Sequence, residues 1–350
     1  MSKRALGVSL VACALMSWAG CGGQSATSDS TRLTGAGSTF AYPLYSKWAD
    51  AFGMVRPDVA IDYQSIGSGG GIGLVTDGRV DFGATDGPMT DQQIQTFLEQ
   101  RGCAVLHLPM ALGADVPSYN LPGVTTDLKF TPTALADIFL GKIKKWNDPA
   151  LTAVNPDVPL PNAEIVVIHR ADSSGTTYVW TDYLSKVSDE WHTKVGRGTS
   201  VTWPVGTEAS GNQAVADLIA STPHSIGYVE LTYAIRGKLT FGQVQNAAGR
   251  FVKAELWTVT AAAAEAATSM PDDFRVSITN APGQNAYPVS SFTWMLVPTK
   301  MADKAKRQAL VAFLTWGLTD GQTFVDGLSY SRLPEAVVKK AQAALSRVQS

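Results

Sequence analysis

Cysteine is scarce: 350 residues include three, Cys13, Cys21 and Cys103. That supply builds neither a disulfide scaffold nor a zinc site of the Cys-x2-Cys type. The four histidines (His107, His169, His192 and His224) are scattered, and none has the His-x3-His spacing of a zinc enzyme. An excess of either charge is also missing, with 28 Lys+Arg against 30 Asp+Glu. This balance argues against nucleic-acid binding through a broad basic surface, while a local basic pocket stays possible. The Gly-x-Ser-x-Gly elbow of serine hydrolases does not occur, and no glycine loop is followed by Gly-Lys-Ser/Thr as in a P-loop. No repeat of 20–50 residues is visible. What is present is ordinary globular composition, 45% hydrophobic, enough for one large or two medium domains and too apolar for a disordered chain.

The N-terminus differs from the rest. Lys3 and Arg4 precede Ala5 to Trp18, a 14-residue run without charge. It is too short to span a bilayer comfortably but suits the apolar core of an export signal. Ala19, Gly20 and Cys21 then resemble the processing site of a bacterial lipoprotein, whose cysteine is lipidated. The expectation is a signal over residues 1–20, lipidation of Cys21, and a Gly/Ser/Thr-rich tether over residues 21–31. Cys13 is the rival lipidation site, and plain secretion the rival route. Cys103 lies beside Ala104, Val105 and Leu106, which predicts a buried, inert thiol.

From Leu33 onward strand and helix signals alternate. Val59 to Ile61, Cys103 to Leu108 and Ile165 to Ile168 read as strands; Tyr45 to Phe52, Gln92 to Gln100, Thr177 to Leu184 and Gln213 to Ile219 read as helices. The alternation predicts an α/β fold with largely parallel sheets, and the chain's length predicts two lobes.

Three glycine–hydroxyl segments share one pattern, the first and third before predicted helices and the second before a run of apolar residues. Gly35-Ala36-Gly37-Ser38-Thr39-Phe40 and Ile66-Gly67-Ser68-Gly69-Gly70-Gly71 supply free backbone N–H groups and hydroxyls. The third, His169-Arg170-Ala171-Asp172-Ser173-Ser174-Gly175-Thr176-Thr177, adds a guanidinium that Asp172 could hold in place. Such helix starts suit an oxyanion, although each segment is equally a capped turn and Arg170–Asp172 equally a surface ion pair. Asp86, in Asp81-Phe82-Gly83-Ala84-Thr85-Asp86-Gly87-Pro88, runs against anion binding unless a proton lies between it and the ligand. Phosphate keeps such a proton near neutral pH and sulfate does not. The alternative is a plain Asp-Gly turn.

Taken in order, these segments resemble the substrate-binding protein of the bacterial phosphate-specific ABC transporter. Ile138 to Pro149 and Ile226-Gly227-Tyr228-Val229-Glu230 extend the likeness toward the C-terminus. The resemblance implies a two-lobed periplasmic-binding-protein fold (type II-like) hinged on crossing strands near residues 106–118 and 280–290. It implies one lobe from residues 32–113 plus 285–350, and a second from 114–284. It further implies that Thr39, Phe40, Ser68, Asp86, Arg170, Ser174, Gly175 and Thr176 contact inorganic phosphate. Ser38, Asp172 and Asn212 would lie behind them. No cofactor or metal is expected. The partners implied are phosphate, the permease subunits of the transporter and the membrane holding a lipid anchor; nucleic acid is not among them, and the protein would be a monomer. A binder of sulfate or molybdate is the alternative, and a phosphatase using His169 a more distant one.

Overall fold

The computed structural model describes residues 30–350. The signal over 1–20, Cys13 and Cys21 lie outside the described residues, as does the tether up to residue 29. The chain runs β1 (Thr31–Gly37), α1 (Tyr42–Val55), β2 (Val59–Ser65), α2 (Ser68–Thr76), β3 (Phe82–Thr85), α3 (Asp91–Arg101) and β4 (Val105–Asn120). A middle stretch follows: β5 (Lys129–Phe130), α4 (Pro132–Phe139), α5 (Pro149–Thr152), β6 (Val166–Arg170), α6 (Gly175–Val187), α7 (Asp189–Lys194), β7 (Thr207–Ala209), α8 (Gly211–Ser221), β8 (Ser225–Glu230) and α9 (Leu231–Arg236). The last part holds β9 (Thr240–Phe241), β10 (Gln243–Gln245), β11 (Phe251–Val252), α10 (Leu256–Ala262), α11 (Ala264–Ser269), β12 (Ser290–Pro298), α12 (Lys304–Gly317) and α13 (Glu335–Ala344).

The main sheet has the order β2-β1-β3-β12-β4-β8-β6-β7. Strands β1 to β3 are mutually parallel, and so are β6 to β8. Between them β12 and β4 run antiparallel to each other and to their outer neighbours, so the expectation of largely parallel sheets is corrected to a mixed sheet. The reason is connectivity. A chain that leaves along one strand and comes back along its neighbour must run the two in opposite directions. β4 changes partner midway, from β12 up to Ala114 to β8 from Asp115 onward. Thr31, assigned by sequence to the tether, already opens β1, its N–H donating to the Asp58 carbonyl.

Packing follows the apolar spacing. Leu44, Tyr45, Trp48, Ala51 and Phe52 form one buried face of α1. Ala309, Leu310, Phe313 and Leu314 do the same on α12, where the Phe313 and Phe52 rings lie 5.4 Å apart. The Ala-rich stretch Ala261 to Ala267 falls across two short helices, α10 and α11, broken at Ala263. Cys103 is buried and unpaired, as its apolar neighbours predict.

Candidate functional site

Five connections converge on one place, each at the carboxyl end of a parallel strand or just beyond it. They are the turns after β1, β2, β3, β6 and β7, four of which lead into the starts of α1, α2, α6 and α8. Open α/β sheets bind ligands at such strand ends.

Asp86 follows β3 and is 1% exposed. Its Oδ1 accepts from Ser38 Oγ at 2.7 Å and Thr293 Oγ1 at 2.8 Å; its Oδ2 accepts from Ser38 Oγ at 2.7 Å and, weakly, Ser68 Oγ at 3.4 Å. Burial raises this carboxyl to about 6 despite the hydrogen bonds from Ser38 and Thr293 and the nearby Arg170 charge, all of which pull it down. Thr293 is a partner that sequence reasoning missed. It lies on β12 beside a bulge, where Met110 of β4 falls unpaired between the pairs Thr293–Ala111 and Trp294–Pro109. Bulges re-aim side chains in this way. Only the alternation of hydroxyls in Ser291-Phe292-Thr293 hinted at it.

Across the cleft, Arg170 ends β6 with its side chain fully buried. Nε donates to Asp172 Oδ1 at 2.7 Å, and Nη2 to the other carboxylate oxygen, giving a two-pronged pair. Nη1 donates to Thr176 Oγ1 at 3.2 Å. Burial pushes the Asp172 carboxyl up, but hydrogen bonds and charge from Arg170, with the Gly211 N–H at 2.9 Å, hold it below the usual range. Ser174 caps α6, its Oγ accepting from Thr177 N at 3.1 Å.

Thr39 is 7% exposed, and Asn212 Nδ2 donates to its Oγ1 and to Thr176 Oγ1, each at 2.9 Å. The Phe40 ring turns away into the core 6.3 Å from Tyr330, so the backbone is what Phe40 brings to the site. Tyrosine hydroxyls clamp this loop from behind. Tyr63 donates to the Ser38 carbonyl at 2.9 Å, Tyr233 to that of Thr39 at 2.6 Å, and Tyr330 to that of Phe40. Their long sequence separations gave no signal.

The two banks touch. A Cβ on Gly175 would lie 2.3 Å from Asp86 Oδ2 and 2.4 Å from Ser68 Oγ, so only hydrogen fits there. Gly69 N donates to the Ser173 carbonyl at 3.0 Å across the same seam. Thus Thr39, Phe40, Ser68 and Asp86 face Arg170, Ser174, Gly175 and Thr176, with Ser38, Asp172 and Asn212 behind them.

The hydrogen-bond inventory defines the chemistry. Among the described residues, the hydroxyls of Thr39, Ser174 and Thr176 accept hydrogen bonds and donate none. The N–H groups of Phe40, Gly175 and Thr176 reach no carbonyl, as expected at helix starts. Among the described residues, three hydroxyl hydrogens, three amide hydrogens and the guanidinium held by Asp172 therefore gather along the seam where Gly175 meets the Asp86 carboxyl. Such a place takes a compact oxyanion that still carries one hydrogen for Asp86. His169 turns elsewhere, stacked on Trp203 with ring centroids 4.8 Å apart, so it supplies no general acid here. A surface groove of about 820 Å³ is a different place; its Arg197 and Arg275 are engaged by Asp182, Asp91 and Asp273.

The chain is similar to known proteins over most of its length. Residues 24–320 match the PBP superfamily domain. The chain is 42% identical to a phosphate-binding protein PstS of Xylella fastidiosa over 90% of its own length and 85% of the relative's. It is also 42% identical to the PstS of Pasteurella multocida, over 91% of this chain and 90% of that one. A crystal structure of a phosphate-binding protein from Stenotrophomonas maltophilia, 18% identical, superposes with a TM-score of 0.67 over 90% of this chain and 94% of the other.

Proposed function

This chain belongs to the PBP superfamily and, within it, to the PstS phosphate-binding proteins, a family of receptors rather than enzymes; from that premise we propose that it captures inorganic phosphate outside the cytoplasm by lobe closure and hands it to an ABC permease. We infer lobes made of residues 32–113 plus 285–350 and of residues 114–284, hinged where β4 changes partner. The phosphate contacts we assign are Thr39, Phe40 (backbone), Ser68 and Asp86 from one lobe and Arg170, Ser174, Gly175 and Thr176 from the other.

One observation carries the reading: a buried acceptor, Asp86, lies on the seam where helix-start amides and the Thr39, Ser174 and Thr176 hydroxyls keep unspent hydrogens. The donors meet the phosphate oxygens and Asp86 meets the remaining P–OH. Because Asp172 already balances Arg170, attraction comes mainly from oriented dipoles, and affinity depends only weakly on salt. Sulfate brings no hydrogen for Asp86 and so sets a buried carboxylate directly against an anion, a strong basis for rejection. Calorimetry at matched pH tests this. Phosphate and arsenate, both protonated, bind; sulfate and molybdate do not, and equal binding of sulfate contradicts the assignment.

The protein acts as a monomer held to the membrane by lipid on Cys21, with no nucleic acid involved. No helix among the described residues is long and apolar enough to cross a membrane. Cys21→Ser releases the protein from the membrane fraction; persistent membrane association of that variant contradicts the anchor.

A further inference from the structure

We propose that Asn212 sets the donor polarity of the site: its carboxamide obliges the hydroxyls of Thr39 and Thr176, on opposite banks of the cleft, to point their hydrogens at the anion. This inference rests on the phosphate-receptor reading and adds to it a positioning residue that touches no ligand itself.

Asn212 is fully buried near the start of α8, and its Oδ1 accepts from the Glu230 N–H at 3.0 Å. That amide can only donate, so the carboxamide has one allowed orientation; the flipped amide would set N–H against N–H. With Oδ1 fixed, both Nδ2 hydrogens face the cleft, one on Thr39 Oγ1 and one on Thr176 Oγ1. The preceding residue is pinned as well, through Gly211 N on Asp172 Oδ1 at 2.9 Å. The Arg170–Asp172 pair and the carboxamide are thereby one construction.

A hydroxyl has one hydrogen and two acceptor lone pairs. At Thr176 both lone pairs are taken, by Asn212 Nδ2 and by Arg170 Nη1 at 3.2 Å. Its hydrogen must leave in the remaining direction. At Thr39 one lone pair is taken by Asn212 Nδ2, so its hydrogen is kept off the carboxamide and is free to turn to the anion. A residue offering an acceptor at this position would draw both hydrogens backward and turn oxygen lone pairs toward the anion. The bond from Asn212 to Thr39 also crosses the cleft, so polarity is set only when the two banks meet. An anion entering the open cleft then finds the full donor set at closure and not before.

The test compares two substitutions across pH by phosphate calorimetry, with thermal unfolding of the ligand-free variants as a control on folding. Asn212→Asp keeps the shape and the bond from Glu230 but faces the threonines with an acceptor. Its phosphate Kd rises roughly 100-fold or more at pH 8. Protonation of the new carboxyl restores a donor, so the ratio of variant to wild-type Kd shrinks as pH falls. Asn212→Ala removes the donors without reversing them; its Kd rises about tenfold at any pH. Should Asn212→Asp not fold, a cycle of Asn212→Ala with Thr176→Val takes its place. The double variant then loses little more than Thr176→Val alone, because an unpolarised hydroxyl contributes little. A spacer role alone predicts equal losses for both substitutions, a pH-independent ratio and additivity in the cycle; that result overturns the inference while wild-type binding stays intact. Wild-type protein that binds no phosphate overturns the receptor reading and this inference with it.

Discussion

Gly175→Ala isolates closure from folding. The added Cβ would sit 2.3 Å from Asp86 Oδ2, 2.4 Å from Ser68 Oγ and 2.7 Å from Asp86 N. Each distance is roughly 1 Å short of ordinary contact, and the obstacles are a buried carboxylate and backbone, which cannot swing away. The second bank must therefore stand back by about that amount, which takes Arg170, Ser174 and Thr176 out of hydrogen-bond range of an anion seated on the first. Hydrogen bonds to a charged group are worth about 1.5–3 kcal/mol each, so losing two costs about 3–6 kcal/mol, or roughly 10²–10⁴ in Kd. Stability should move the other way. Gly175 opens α6 with an ordinary φ, and alanine in a helix gains up to about 1 kcal/mol over glycine. The expected result is a protein that melts no lower than wild type, stays expanded in small-angle scattering with phosphate, and binds weakly by calorimetry. Phosphate affinity within about threefold of wild type would refute the claim that the two banks must touch at this glycine.

Three further outcomes follow from the same contacts. Arg170→Lys keeps the charge but loses the two-pronged grip on Asp172 and the reach to Thr176, so phosphate Kd should rise at least about tenfold, and an unchanged value contradicts the role of the fork. Asp115 and Glu230 face each other across β4 and β8, both fully buried, with both Asp115 oxygens and Glu230 Oε1 unpartnered. Burial, then mutual repulsion, pushes the Asp115 carboxyl well above its ordinary range. A raised folded pKa means stability is greatest at low pH and falls as pH rises past the unfolded value; Asp115→Asn should flatten that fall and stabilise by about 1–3 kcal/mol at pH 8 in urea unfolding. The same sign applies to Asp86 in ligand-free protein. Its shift from 3.8 to about 6 removes roughly 3 kcal/mol of stability as pH rises through that interval, and Asp86→Asn should abolish the slope.

The loops were legible because their chemistry is local. Glycine, hydroxyl and helix start lie within a few residues of one another around Thr39, Ser68 and Ser174, and Arg170 and Asp172 are neighbours on the chain. The residues that complete the site were not legible, since they arrive from far away. Thr293 reaches Asp86 only through a bulge 207 residues downstream, and Tyr330 reaches the Phe40 carbonyl across 290 residues. Local apolar runs gave a strand only over Cys103 to Leu108, while the family resemblance already implied a crossing strand near residues 106–118; β4 spans Val105–Asn120, through Pro109 and Pro117. Pro109 is tolerated because it lies beside the bulge. The parallel expectation failed for a related reason: strand alternation reveals local order, whereas the direction of β12 is set by where the chain must return.

The most direct test of the central claim is the affinity for sulfate relative to phosphate at pH 8, measured by calorimetry on wild type and on Asp86→Asn. A buried carboxylate acceptor predicts that wild type binds phosphate and rejects sulfate by at least roughly 10³, and that the asparagine, which can donate, narrows the gap mainly by admitting sulfate. Sulfate rejection left unchanged in Asp86→Asn would contradict the account.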